Sequence, residues 1–204
     1  MKRSIMTALA VLAFGATSAA HAADPRHPDW PCQQIKVPTL SVAAFWTEPS
    51  IDGIGNAWEK DTVVQDLVQR LAARRTPIEQ AEKAASDFVN GAPTDKQRKA
   101  ALLFAGLFAT LNSERSQVMD GIERFSQRQQ QLRDKIRTEL TDLRAKQDAG
   151  SQDATAIDKL GQQVAWDTRV YDERRHTIGY VCEVPATIER RLFSLARAIQ
   201  QSLE

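Results

Sequence analysis

From Thr94 the chain runs to Asp148-Ala149-Gly150-Ser151, roughly 53 residues, with neither a proline nor a cluster of turn residues. A breaker-free segment of that length predicts one uninterrupted α-helix, about 80 Å long at the standard rise. Its apolar positions are Phe104, Leu107, Leu111, Val118, Ile122, Phe125, Leu132, Ile136, Leu140 and Leu143. They recur about every 3.5 to 3.6 residues, the spacing of a coiled coil. Past the turn, Ile157, Leu160, Val164, Tyr171, Ile178 and Val181 continue the pattern in a second helix. Pro185 kinks or restarts it, and Ile188, Leu192, Leu195, Ile199 and Leu203 complete the last helical segment. Two long helices joined by a short turn pack antiparallel. Residues whose numbers add to about 300 should then face each other: Leu143 and Ile157, Ile136 and Val164, Leu107 and Leu192 or Phe193.

Two shorter helices precede the long one. Asp61 is placed to cap the first, whose apolar positions are Val64, Leu67, Val68 and Leu71, with Arg74 and Arg75 at its C-terminal end. Thr76-Pro77-Ile78-Glu79 reads as a capping box opening the second, which runs through Ala81, Ala84, Ala85 and Phe88 to Asn90-Gly91. Thr94 with Gln97 reads as another capping box at the head of the long helix. The run from Ala100 to Leu111, AALLFAGLFATL, is apolar nearly all round. Membrane insertion is one reading, but the run is too short to span. A helix enclosed on every side is the other, and it calls the two short helices to this end of the molecule.

Residues 23–60 have no helical period. Pro25, Pro28, Pro31, Pro38 and Pro49 interrupt them, yet they carry Trp30, Trp46 and Trp58, three of the four tryptophans. An aromatic, proline-broken segment is expected to lie as an extended strap over a helical surface. The expected fold is therefore all-α. It comprises a long antiparallel helical hairpin, two short helices making a four-helix bundle at its base, and the strap. The helices are placed at about 61–75, 77–90, 95–148, 153–184 and 186–203 of the helical region 61–204.

Residues 1–22 read as a secretory signal. Lys2 and Arg3 precede an apolar stretch from Ile5 to Ala16, and Ala20-His21-Ala22 is a small-x-small site predicting cleavage after Ala22. The signal form suits a periplasm. Of 204 residues, 42% are apolar and 26% charged, enough for a packed core and too apolar for disorder. The formal charge of +1 gives no electrostatic case for nucleic acid. No run in the mature chain is long enough to span a membrane.

In an oxidising compartment Cys32 and Cys182, the only two cysteines, are expected to form a structural disulfide fastening the strap to the hairpin. The alternatives, a redox thiol or a metal thiolate, lack the usual close cysteine spacing. Gly121 and Gly179 sit inside helices and pair under the antiparallel register, with Val118 opposite Cys182. They mark either a slot receiving Trp30 or Trp46 of the strap, a ligand pocket, or two tolerated glycines facing solvent. The middle of the seam is polar, carrying Gln127, Arg128, Gln129, Gln130 and Gln131 opposite Thr168 to Arg174. That zone is a register device, a solvated coiled coil, or a partner face comprising Arg124, Arg128, Gln131, Tyr171, Arg174 and His176.

The mature chain has only His27 and His176, the latter in the charged run Asp172-Glu173-Arg174-Arg175-His176. No nucleophile elbow or phosphate loop is present, so no catalytic set is expected. Asp24, His27, Asp29 and Cys32 have metal-ligand chemistry without ligand spacing, and no metal or cofactor is expected. The function expected is a periplasmic interaction protein, an adaptor or accessory subunit of an envelope or periplasmic system with a protein partner. The alternatives are a holdase chaperone or envelope-stress protein, and a small-ligand or metal binder. The oligomeric state stays open, because a 3.5-residue period serves a hairpin and a dimer equally.

Overall fold

The computed structural model describes residues 25–150 and 153–204. The expected signal segment 1–22, its cleavage site, Asp24 and turn residue Ser151 lie outside the described residues. All regular structure among the described residues is helical. The helices are α1 (Thr62–Ala72), α2 (Ile78–Asn90), α3 (Lys96–Asp148), α4 (Ala154–Cys182) and α5 (Val184–Gln201). Single 3-10 turns at Val42–Ala44 and Ala57–Lys60 punctuate the N-terminal segment.

Local chemistry sets most of these boundaries. Asp61 accepts a hydrogen bond from the Val64 amide at 3.2 Å, capping α1. Its other carboxylate oxygen takes the Lys99 ammonium from α3 at 2.5 Å. That ammonium holds the Asp61 carboxyl below the usual carboxylate range. Asp153 likewise caps α4 through the Ala156 amide, 2.9 Å away. α4 stops at Cys182, and α5 restarts at Val184 with Pro185 in its first turn, where a missing N–H is harmless.

Two expected capping boxes do not form. Thr76 turns back and donates to the Arg70 carbonyl at 2.8 Å, so it serves the end of α1 rather than the start of α2. The Thr76 carbonyl and that of Leu71 accept from Arg191 of α5, at 3.0 and 2.7 Å. The cation closing α1 thus comes from a distant helix, not from Arg74 or Arg75. α3 begins after Asp95 with no side-chain cap.

Burial along α3 changes in character. Every residue from Ala100 to Leu107 is buried, then Leu111, Arg115, Met119 and Ile122, and beyond those only Ile136. The continuous stretch sits in a core shared with Val64, Val68 and Leu71 of α1, Ala81, Ala85 and Val89 of α2, and Ile188, Leu192, Leu195 and Ile199 of α5. The N-terminal segment closes the remaining side. Trp46 stacks on Phe104 with ring centroids 4.3 Å apart and planes 8° apart, and Phe45 meets Phe108 edge-on at 6.4 Å. Phe193, one of two expected partners for Leu107, is exposed, and Leu192 takes the core position.

Farther along, Gln129 donates to the Tyr171 carbonyl at 3.3 Å and Lys135 pairs with Asp167 at 2.7 Å. Arg115 reaches Glu189 of α5. Rising numbers on α3 thus meet falling numbers on α4 and α5. A second, smaller apolar cluster forms around Trp30, Met119 and Ile122, with Val118 and Ile178 at its edge.

One glycine of α3 is required by packing. A Cβ on Gly106 would lie 2.7 Å from the Val68 side chain and 2.9 Å from the Trp58 ring. Val68 is fully buried and the Trp58 ring packs against the same core, so making room for a Cβ costs packing. Gly179 is the opposite case, with nothing within 4 Å of such an atom. Gly106→Ala is expected to lower stability in urea denaturation, the overpacking cost of about 1–3 kcal/mol outweighing a helix-propensity gain of about 1 kcal/mol. Gly179→Ala is expected to raise it by up to about 1 kcal/mol. Effects of the same sign at both positions would contradict this packing.

Candidate interaction surface

The N-terminal segment is fastened to the helices at short intervals. Asp29 accepts from Gln127 at 2.8 Å and from Gln130 at 3.4 Å. Trp30 is buried in the smaller cluster, and its indole N–H donates to the Gln34 carbonyl at 2.7 Å. Cys32 is joined to Cys182, the last residue of α4, with Cα atoms 5.6 Å apart across a sequence separation of 150. Gln34 donates to Glu183 at 2.9 Å, and Lys36 pairs with Glu123 at 2.6 Å. Arg115 donates to the Val37 carbonyl at 2.8 Å.

Arg115 is the deepest of these clasps. Its side chain is 3% exposed, and it joins α3, α5 through Glu189, and the N-terminal segment through Val37. A carboxylate and a carbonyl replace water at Nε and Nη2, while Nη1 is buried without a hydrogen-bond partner, so removing either partner would leave the buried charge still less compensated. The sequence assigned Arg115 no such role, and a register summing to about 300 would set it opposite Pro185 rather than Glu189. An arginine in the apolar row between Leu111 and Val118 was the available signal.

Between the clasps, apolar side chains face solvent. Ile35 is 73% exposed and Val37 49%, while Val181, beside the bridge, is 37% exposed. These side chains stand on backbone that is pinned on both sides.

The residues singled out from sequence separate into groups. Gly121 and Gly179 make no slot. Gly179 is exposed with open space around it, and near Gly121 only an Arg124 guanidinium nitrogen comes within 4 Å, at 3.9 Å. The physical reason is that the segment meets α3 through large side chains, Trp30 against Val118, Met119 and Ile122, and needs no backbone approach. Trp46 lies in the main core on Phe104, away from these glycines. Arg124, Arg128, Gln131, Arg174 and His176 are exposed, whereas Tyr171 is half-buried and its carbonyl is taken by Gln129. Gln127 and Gln130 of the glutamine run are occupied by Asp29. Of the four N-terminal residues with metal-ligand chemistry, Asp29 is therefore engaged and Cys32 is disulfide-bonded. No group of three potential metal-ligating side chains occurs among the described residues.

Asp167 was not anticipated. It is 8% exposed on α4, and its carboxylate takes Lys135 at 2.7 Å and Gln163 at 2.9 Å. The Lys135 ammonium, helped by Gln163, holds it below the ordinary carboxylate value of 3.8. Its contribution to stability is therefore complete above that value and is lost as pH falls through the lowered folded one. Trp166, the tryptophan outside the N-terminal segment, was also passed over; it is 61% exposed on α4. A depression of about 650 Å³, open to solvent, lies between α1 and α2, lined by Val63, Asp66, Arg70 and Phe88 among others.

No protein family, curated protein or solved structure matches the chain.

The bridge closes a loop of 150 residues. Replacing both cysteines by serine is expected to lower unfolding free energy by roughly 2–5 kcal/mol in urea. It should also expose residues 25–40 to proteases while the far-UV helix signal persists. Unchanged stability and unchanged protease resistance would show that the other clasps suffice.

Proposed function

We propose that this chain is exported by its first 22 residues and works in the periplasm as a helical adaptor or accessory subunit, with no catalytic activity of its own. In this reading α3 and α4 are the arms of a helical hairpin, α1, α2 and α5 complete a bundle at its root, and residues 23–60 are the strap across it. A disulfide between residues so far apart in sequence suits an oxidising compartment. No described helix is long and apolar enough to cross a membrane.

The observation that carries the reading is the placement of Ile35, Val37 and Val181. Large apolar side chains on a mobile loop would collapse onto the nearest surface. Here they stay exposed, because the disulfide, the Gln34–Glu183 bond, the Lys36–Glu123 pair and the Arg115–Val37 bond hold their backbone in place. A pre-ordered apolar patch rimmed by polar groups loses little conformational entropy when a partner covers it, which is the anatomy of a protein-binding epitope. The exposed Arg124, Arg128, Gln131 and Arg174 add polar groups suited to the rim of such an interface.

A photo-reactive residue at position 35, introduced in the native periplasm, is expected to trap one dominant protein at fixed ratio. Ile35→Ser with Val181→Ser should weaken that complex about tenfold or more. A spread of unrelated adducts rising under heat or acid stress would instead favour a holdase. The absence of any adduct would refute the patch as an epitope.

A further inference from the structure

α4 has two faces, and only one is accounted for. Val164, Asp167 and Cys182 are buried and Tyr171 and Ile178 half-buried on one side, where Lys135 pairs with Asp167, Gln129 donates to the Tyr171 backbone carbonyl, Ile178 edges the Trp30 cluster and Cys182 is disulfide-bonded. On the opposite side of the helix lie Gln162, Trp166, Arg169, Glu173, His176 and Tyr180, all exposed. Their spacings alternate between four and three residues, the spacing that keeps a stripe in line on a helix packing against another helix. The stripe is about 27 Å long at the standard rise. Its aromatic members are not incidental surface: Trp166 is 61% exposed and Tyr180 82%.

The order of the six residues is what identifies the occupant. A twofold interface must be complementary to itself, residue i meeting j while j meets i. Turned end for end about Tyr171, this stripe places Arg169 against Glu173, Trp166 against His176 and Gln162 against Tyr180, and each match then occurs twice. The two charges have opposite signs, and neither joins an ion pair within the chain among the described residues. Each aromatic ring meets a side chain able to lie along its face or hydrogen-bond to its edge. A heterologous partner would not require this internal symmetry.

We propose that the outward face of α4 pairs with the same face of a second copy, antiparallel about Tyr171, with Arg169 and Glu173 forming two reciprocal ion pairs between Trp166–His176 contacts. Val181 of the Ile35–Val37–Val181 patch is the residue next to Tyr180, at one end of this stripe; the pairing itself rests on the residues centred on Tyr171 and does not depend on what binds the patch.

Sedimentation velocity of the full, oxidised chain tests it, with circular dichroism as the check on folding. A dimer is expected at about 100 µM, a concentration that populates even modest affinities. Arg169→Glu and Glu173→Arg each place two like-charge pairs at the centre, and each should weaken dimerisation about tenfold or more. The double variant carrying both reversals restores opposite charges and should recover the wild-type association within a few-fold. Trp166→Ala, which alters no charge, should also weaken it. The proposal is overturned by a wild-type monomer at that concentration, which would leave the face to a different protein. Dimerisation indifferent to all three single changes, or a double variant as weak as the singles, would overturn it too.

Discussion

A helix that buries eight consecutive residues, Ala100 to Leu107, has no face left for water, and this requirement organises the rest of the molecule. Two neighbouring helices cannot enclose a cylinder. α1, α2 and α5 cover most of it, and the irregular N-terminal segment supplies the rest through Trp46 and Trp58. Gly106 shows how close that enclosure is, since the Val68 side chain and the Trp58 ring occupy the space a Cβ would take. Along the same helix the demand then falls. Past Ile122 only Ile136 is buried, so the distal half of α3 needs only the single neighbour that α4 provides.

The transition between these regimes is where the polar clasps concentrate. Arg115, Glu123, Gln127 and Gln130 lie beyond the continuously buried stretch, where burial on α3 becomes periodic and then fades, and all of them engage residues 29–37 or α5. Charged and amide groups give directional contacts that fix position where apolar burial no longer does. The disulfide adds a covalent tie at the same level. The segment is thereby held on backbone that leaves Ile35 and Val37 outward, and an exposed apolar surface becomes a by-product of how the core is closed.

The all-α class was legible because hydrophobic period and the absence of breakers are local properties, readable over the whole of α3. The Cys32–Cys182 bridge was legible because two cysteines allow one pairing. The Asp61 cap was legible because its partner is three residues away. What depended on residues far apart was not. Thr76 looked like a cap for α2, but the carbonyl of Arg70 claimed its hydroxyl. Arg191 gives no sign in sequence that it closes α1. Gly121 and Gly179 drew attention because the antiparallel register sets them opposite each other, whereas Gly106 has no glycine opposite it and sits in an alanine-rich run. Yet only the latter meets another element closely enough to need it.

Native-state hydrogen exchange at increasing denaturant tests the division of α3 most directly. Amides at 100–111 and 188–199 should exchange only through global unfolding. Amides at 131–148 and 154–167 should exchange through a separate opening, cheaper by roughly 2 kcal/mol or more and exposing less surface. A single free energy shared by both halves of α3 would contradict the account, because it would mean that the distal helices are held as firmly as the enclosed core.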